Sequence, residues 1–490
     1  MALEDILHPL LARYAAAPQW VRGGIGALYG ALPKSLRHGR AFAEYCAQAA
    51  ARLPVDALAR EVDRRLSATL EQALRHVPAY ARHRSLLDRS LAPRELLAQI
   101  PPSTKADLKR DLESHVSANM PPSRRLEMFT GGSTAEPMRF FAHKHVTRPK
   151  ETAYYVDLDG RAGWRQGDLI LNLRGRSVRG AGRAGAAPWA FDPIRRHLIL
   201  SSDHLEARFM AGYVQTLREW KPKIIQAYPS ALYPLAVWLA RHPAPDVTQA
   251  VRGIVLSSES AYDFQLRAFR RVFDGPVIRG YGHTERVLLA ATMPDDDRYF
   301  FWPLYGHLEL LDGAGRSITE PGVAGEIVGT SFDSMVMPFV RYRTGDIGAW
   351  SASAGHPLLP GFPVLEYIDG RQQEFVVCRD ERLVTVTTLG AAHFSDLAEV
   401  DAIQYEQYVP GQLILKVVSS AGLAPAQEQA IATAVRAKTQ GGCEVRVERV
   451  DRIERTARGK LQMLVQHLDL SGFLGAAHID RNDVHGAAGG

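Results

Sequence analysis

Between about residue 125 and residue 350, short unbroken apolar runs alternate with helix-length segments, and this alternation limits the possible folds more than any other feature. "GDLILNL", "KIIQAY", "VRGIVLSS" and "GPVIRGYG" read as buried strands, each ending in small or polar residues. Between them, "LEARFMAGYVQTLREW" and "ALYPLAVWLARH" carry apolar residues at helical spacing. A strand can be apolar throughout only where both faces are covered, so the pattern predicts a parallel, doubly wound sheet flanked by helices. In such sheets ligands collect beyond the carboxyl ends of the strands. The residues that follow each strand are therefore the functional candidates.

The flanks have other textures. Residues 1–115 read as helical, and "DALAREVDRRLSATLEQALRHV" sets Leu58, Val62, Leu66, Leu70 and Leu74 at steps of four, the apolar stripe of a docked helix. The earlier "LLARYAAAPQWVRGGIGALYGALPKSLR" is basic and amphipathic, a pattern shared by helices lying on membranes and helices docked on their own core; docking is expected. Residues 304–350 ("HLELLD", "GEIVGTSF", "FVRYRTGDIGAW") resemble antiparallel strands with Gly and Asp turns. After Arg371, "EFVVCRD", "LVTVTT", "DAIQYEQY" and "GQLILKVVSS", the helix "PAQEQAIATAVRAKTQG" and "CEVRVERV" suggest a small α+β unit. The expected fold is α/β: a large N-terminal domain with doubly wound sheets and a β-rich subdomain, plus a small mobile α+β C-terminal domain. Its parts are a helical region at 1–115, the large domain at 116–370 and a small lid domain at 371–490.

Composition excludes several classes. With 46% hydrophobic and 23% charged residues the chain reads as globular, and 490 residues suit two or three domains. Cys46, Cys378 and Cys443 are few and far apart in sequence, which argues against a disulfide framework or a zinc ribbon and for a reducing compartment. No signal peptide or transmembrane segment is evident, so a cytoplasmic location is expected. The net charge of +6 is mild. Arg161, Arg165, Arg174, Arg176, Arg179 and Arg183 cluster, but no aromatic residues interleave with the "RGRSVRGAGRAGA" tract, so a solvated loop is expected rather than a nucleic-acid surface.

Several polar clusters carry chemistry. In "FTGGSTAEP", Thr130, Gly131, Gly132, Ser133 and Thr134 offer bare backbone N–H groups and hydroxyls, as a phosphate chain requires; no Walker A pattern is present. "YGHTE" (Tyr281, Gly282, Thr284, Glu285) puts an aromatic ring, a hydroxyl and a carboxylate in one turn after a strand, suited to a base, a phosphate and Mg²⁺. "RTGD" holds Asp346 in a glycine turn, where a carboxylate can accept from a pair of ribose hydroxyls, and "RTARGK" offers Lys460 on a glycine-bearing loop.

Their order is informative. "TGGSTAEP", "SSES", "YGHTE", "MPFVRYRTGD", the Gly370–Arg371 junction and "RTARGK" follow one another as in the adenylate-forming superfamily of acyl-CoA synthetases. With "HVPAYARH", "IPPSTKADLK" and "AYPSAL" in the flanks, the chain most resembles the phenylacetate–CoA ligase and capsular-polysaccharide branch, from about residue 65 to 465. The resemblance implies that residues 130–134 wrap the ATP phosphates, Tyr281 stacks on adenine, and Ser258 and Glu259 line the base. It implies that Thr284 meets the α-phosphate, Glu285 carries Mg²⁺, Asp346 binds the ribose with Arg371 beside it, and Lys460 bridges carboxylate and α-phosphate. The implied reaction joins a carboxylic acid, aromatic in the branch's namesake, to AMP with release of pyrophosphate. The acyl group then passes to coenzyme A, with the small domain swivelling between steps. Other implied acceptors are an amine or a carrier-protein thiol; a nucleotide-binding pathway protein without turnover is the rival from another class. Three positions depart from the family: Ala135–Glu136 for Gly-Lys, Glu374 for Asp at the hinge, and Glu381 for a glycine that lines the thiol tunnel.

Overall fold

The computed structural model describes residues 19–32, 34–39, 41–130, 138–174, 189–201, 207–353, 355–371, 375–386, 400–419, 422–454 and 461–468, with isolated positions at 3, 7, 10, 14, 17, 178 and 389. A hairpin of β1 (Arg125–Phe129) and β2 (Arg139–His143) precedes the main sheet. Among the described residues that sheet has twelve strands. In chain order they are β3 (Ile170–Leu173), β4 (Trp189–Asp192), β5 (His197–Leu200), β6 (Ile224–Ala227), β7 (Gly253–Ser257) and β8 (Val277–Gly282), then β9 (Leu289–Met293), β10 (Asp296–Phe301), β11 (Gly306–Leu311), β12 (Ala324–Ser331), β13 (Tyr342–Trp350) and β14 (Val364–Arg371). Their spatial order is β11-β12-β13-β14-β10-β9-β8-β7-β6-β3-β5-β4.

The four strands read from sequence, β3, β6, β7 and β8, run parallel side by side, with β5 parallel on the far side of β3. Period-two geometry divides each strand between two cores. Leu171, Ile225, Ile254 and Leu256 face the helices Ala207–Trp220, Pro229–Arg241 and Asp263–Val272, while Ile170, Ile224, Val255 and Ile278 face Val55–His76 and Thr147–Arg161. The stripe at steps of four is the buried face of Val55–His76: Leu66, Leu70 and Leu74 are fully buried, with Leu58 and Val62 nearly so. Burying such a leucine is worth about 1.5–3 kcal/mol, which fixes the helix on the sheet without strong capping.

Two details differ from the sequence reading. The antiparallel strands β11 to β14 do not form a sheet apart; β9 and β10 join them edge to edge with the parallel strands. The cause lies after Gly282, where the chain turns straight back into β9 instead of entering a helix. Arg161 also leaves the expected solvated arginine cluster. It ends the helix Thr147–Arg161, lies 4.0 Å over the Trp302 ring and donates to the Ala291 carbonyl at 3.0 Å. Arg176, Arg179 and Arg183 fall outside the described residues.

β14 ends at Arg371 in the large sheet, and β15 (Phe375–Val377) pairs with β16 (Leu383–Thr385) in a sheet of its own. Beyond it, β17 (Ala402–Gln407), β18 (Gln412–Val418), β19 (Glu444–Arg449) and β20 (Leu464–Gln466) form a four-stranded sheet in the order β19-β18-β17-β20. The helix Pro425–Lys438 buries Ile431 and Val435. Cys378 and Cys443, remote in sequence, are buried free thiols here with Sγ atoms 3.9 Å apart. Glu374 lies outside the described residues.

Candidate active site

The parallel run of β3, β6, β7 and β8 brings their carboxyl ends to one edge, where Arg174, Tyr228–Ser230, Ser258–Glu259 and His283–Glu285 follow them. Tyr281 leaves β8 with its ring 5.8 Å from Phe301, and its hydroxyl donates to Asp346 Oδ2 at 2.8 Å. Asp346 comes from β13, four strands away across the sheet, so this bond joins the "YGHTE" and "RTGD" clusters.

The turn that presents Asp346 is built locally. Gly345 takes φ 79°, a conformation free of strain only for glycine, and its N–H donates to Glu326 Oε1 at 3.1 Å. Thr344 Oγ1 donates to the Ile327 carbonyl at 2.7 Å and accepts from Asp346 N at 3.1 Å. Arg343 Nε donates to Glu326 Oε2 at 2.6 Å. Glu326 is thus anchored from two sides and fixes the backbone of the turn that carries Asp346. In the strand register Asp346 lies opposite Arg371, so the backbone places these two candidates side by side; the Arg371 side chain lies outside the described residues.

Glu285 Oε1 accepts from the Tyr342 hydroxyl at 2.9 Å. Glu285 Oε2 is a hard oxygen of the type Mg²⁺ accepts. Among the described residues no group of three His, Cys, Asp or Glu could hold a metal. A single carboxylate nevertheless fits Mg²⁺, which takes one or two carboxylates and fills its remaining positions with water and substrate phosphates. Thr284 is half-buried in the same turn and Gly282 is exposed beside it.

Ser258 follows β7 at φ 70°, an uncommon backbone for a residue other than glycine. Next to it, Glu259 Oε2 accepts from Ser230 N at 3.1 Å and Oε1 from Leu461 N at 2.9 Å. Leu461 is the residue after Lys460, so the small unit reaches the large sheet at this edge. Lys460 itself lies outside the described residues, as do Gly131, Gly132, Ser133, Thr134, Ala135 and Glu136. Thr130 is buried and closes the neck of that loop: its N–H donates to the Met138 carbonyl at 2.8 Å and its Oγ1 accepts from Met138 N at 2.9 Å.

Three residues near the site escaped the sequence reading. Tyr342 sits inside a recognised block, and its pairing with Glu285 spans 57 positions. Lys150 and Asp333 are further apart in sequence still. Buried Lys150 donates to the carbonyls of Tyr305 at 2.8 Å and Phe332 at 2.9 Å and lies 3.2 Å from Asp333 Oδ2. Burial pulls the Lys150 pKa down, and Asp333 opposes that shift. Glu285, Arg286, Lys150, Asp333, Phe140 and Phe339 are among the walls of a narrow cleft. Glu381, in the turn between β15 and β16, is exposed and adopts φ 64°, the left-handed region that glycine favours.

No protein-family model matches the sequence. Protein CapK of Staphylococcus aureus is 20% identical over 300 residues, 60% of this chain and 63% of its own length, so the match spans less than two thirds of that relative. The solved structure of a 2-hydroxyisobutyryl-CoA ligase with 2-HIB-AMP in the postadenylation state superposes with a TM-score of 0.66 at 18% identity, covering 86% of this chain and 92% of that one. The same ligase with 2-HIB-AMP and CoA in the thioesterification state gives 0.52 at 18% identity, over 84% and 90% of the two chains. The chain has the fold of the adenylate-forming enzymes.

Proposed function

We propose that the chain activates a carboxylic acid with ATP, forming acyl-AMP and pyrophosphate, and passes the acyl group to coenzyme A. The observation that carries this reading is the 2.8 Å bond between Tyr281 and Asp346, one turn from Glu285, at the edge where the parallel strands end. Tyr281 would stack on a base, and the Asp346 carboxylate would accept from the ribose hydroxyls. Glu285 Oε2 would hold Mg²⁺, which would neutralise phosphate charge when bound. Thr284 and the 130–134 loop supply donors to the phosphates, and Arg371 stands beside the ribose site.

The chemistry asks for alignment and charge neutralisation. A carboxylate oxygen attacks the α-phosphorus, the bond to the β-phosphate oxygen breaks, and pyrophosphate leaves. Lys460 is assigned the charge between carboxylate and α-phosphate. The Glu259–Leu461 bond supports a small unit docked for this first step, as does the better superposition on the postadenylation state of the 2-hydroxyisobutyryl-CoA ligase.

Glu381 favours a second reading for the acceptor. It puts an exposed carboxylate where a glycine would let pantetheine pass close to the backbone, and an amine acceptor would suffer less from that charge. The test is acid-dependent exchange of pyrophosphate into ATP over a panel of acids, followed by coenzyme A or hydroxylamine as acceptor. Exchange with one acid and thioester formation are expected. ATP binding without exchange for any acid would leave a nucleotide-binding protein, and amide without thioester would move the acceptor to an amine.

A further inference from the structure

The helix Gln19–Ala31 is amphipathic in the reverse of the usual sense. Its inner side docks on the large domain. Gly26 lies so close to Pro193 that a Cβ there would come within 2.2 Å of that ring, and Tyr29 is buried. Arg22, the helix's basic residue, lies on the inner side of the wheel near Tyr14. Among the described side chains, the outward side presents Gly24, Ile25, Ala27, Leu28 and Gly30 and no polar one. Leu28 is 75% exposed and Ile25 45%, and Leu36 on the next helix (Lys34–His38) is 57% exposed. A docked surface helix normally turns its polar residues to water.

Charge points to what covers this face. From Ile6 to Ala43 the sequence contains no Asp or Glu, yet it contains Arg13, Arg22, Lys34, Arg37 and Arg40. An acid-free basic segment around exposed leucines matches a surface that is both negative and apolar. A bilayer of anionic lipid meets both conditions: its headgroups attract the net positive charge of the segment and its acyl boundary receives Ile25, Leu28 and Leu36. A second copy of this chain would bring a like-charged segment against the first. Among the described residues no helix is long and apolar enough to cross a membrane, so the attachment is peripheral.

We propose that the Gln19–Ala31 helix and its basic flank form a docking face for an anionic membrane surface. The inference is independent of the adenylation chemistry. The test is co-sedimentation of the purified full-length chain with phosphatidylcholine vesicles and with vesicles of phosphatidylcholine and phosphatidylglycerol. Binding to the anionic vesicles should exceed binding to the neutral ones and weaken as salt is raised. Leu28→Glu with Ile25→Glu should reduce it at least tenfold, because the charges enter the apolar boundary. Lys34→Ala and Arg40→Ala, which lower the charge of the segment, should each reduce it by up to about fivefold, the factor equivalent to the ~1 kcal/mol a basic residue gains at an anionic surface. Leu28→Ser, at a position open to solvent, serves as the variant that keeps the fold, with an unchanged thermal midpoint as control. Equal binding to both vesicle types, or binding indifferent to Leu28→Ser and Leu28→Glu, overturns the proposal. So does self-association of the wild type that Leu28→Ser abolishes without any vesicle binding; that outcome assigns the face to a second copy.

Discussion

Replacing Asp346 by asparagine tests the proposed nucleotide site at the point where two sequence blocks meet. The Tyr281 hydroxyl donates to Asp346 Oδ2 at 2.8 Å, and an asparagine carbonyl can accept the same bond, so the ring stays in place. The ribose loses its charged acceptor. Hydrogen bonds to a charged group are worth ~1.5–3 kcal/mol and neutral ones ~0.5–1.5. The change therefore costs about 1–1.5 kcal/mol per ribose hydroxyl, or about 2–3 for the pair. That corresponds to a weakening of roughly 30- to 150-fold, and partial exposure of Asp346 favours the lower end. ATP and AMP should weaken alike, because both carry the ribose. Tyr281→Phe removes one neutral donor and should cost roughly tenfold or less. The double variant should fall short of the sum, since the two residues share a bond. Calorimetric titration of each variant with ATP and AMP reads these values directly. A change below twofold in Asp346→Asn, with the thermal midpoint preserved, would refute the ribose assignment, and so would a loss confined to ATP.

Three further outcomes are expected. Lys460→Ala should cut acyl-AMP formation by roughly 10²–10³ while leaving ATP affinity and the reaction of supplied acyl-AMP near wild type; equal damage to both half-reactions in rapid-quench assays counts against a role confined to adenylation. Lys150→Met leaves Asp333 with Arg65 at 3.3 Å but strips a donor from the buried carbonyls of Tyr305 and Phe332, so unfolding should be easier by about 1–3 kcal/mol, read as a lower denaturation midpoint. Burial raises the Asp159 pKa from 3.8 to about 6, so the folded state holds the proton more tightly than the unfolded chain. Stability then falls as pH rises from about 4 to about 6, and Asp159→Asn, which still accepts from Gln226, should remove that fall and gain up to about 3 kcal/mol at pH 7. Parallel pH profiles for wild type and variant would disprove it.

The helix Val55–His76 and the strands β3, β6, β7 and β8 were legible in the sequence because their signal is local. Leu58 to Leu74 repeat at the helical period, and Ile224–Ile225 can both be buried only in a strand covered on both faces. The polar clusters "YGHTE" and "RTGD" could be picked out for a similar reason, since each gathers its polar groups within a few residues; the loop from Gly131 to Glu136 lies outside the described residues. The outward apolar face of Gln19–Ala31 was half visible: the amphipathicity could be read, but which side docks was set by Gly26 meeting Pro193.

Pairings between distant segments were decided by the tertiary structure. Residue types alone do not state that the Tyr281 hydroxyl finds Asp346, that Tyr342 holds Glu285, or that Lys150 lies against Asp333. Nor does the isolated sequence reveal that Glu259 receives Leu461, 202 positions away, or that Cys378 and Cys443 meet. Each partner has an ordinary polar neighbourhood in sequence, and periodicity carries no information about which strand lies beside which. Strand order supplied it: once β9 and β10 bridged the parallel strands to β14, the turn after Gly282 and the turn at Gly345 faced one another. Local propensity is a sum over neighbours along the chain, whereas a site is a coincidence of side chains in space, and only the packed sheet brings about that coincidence.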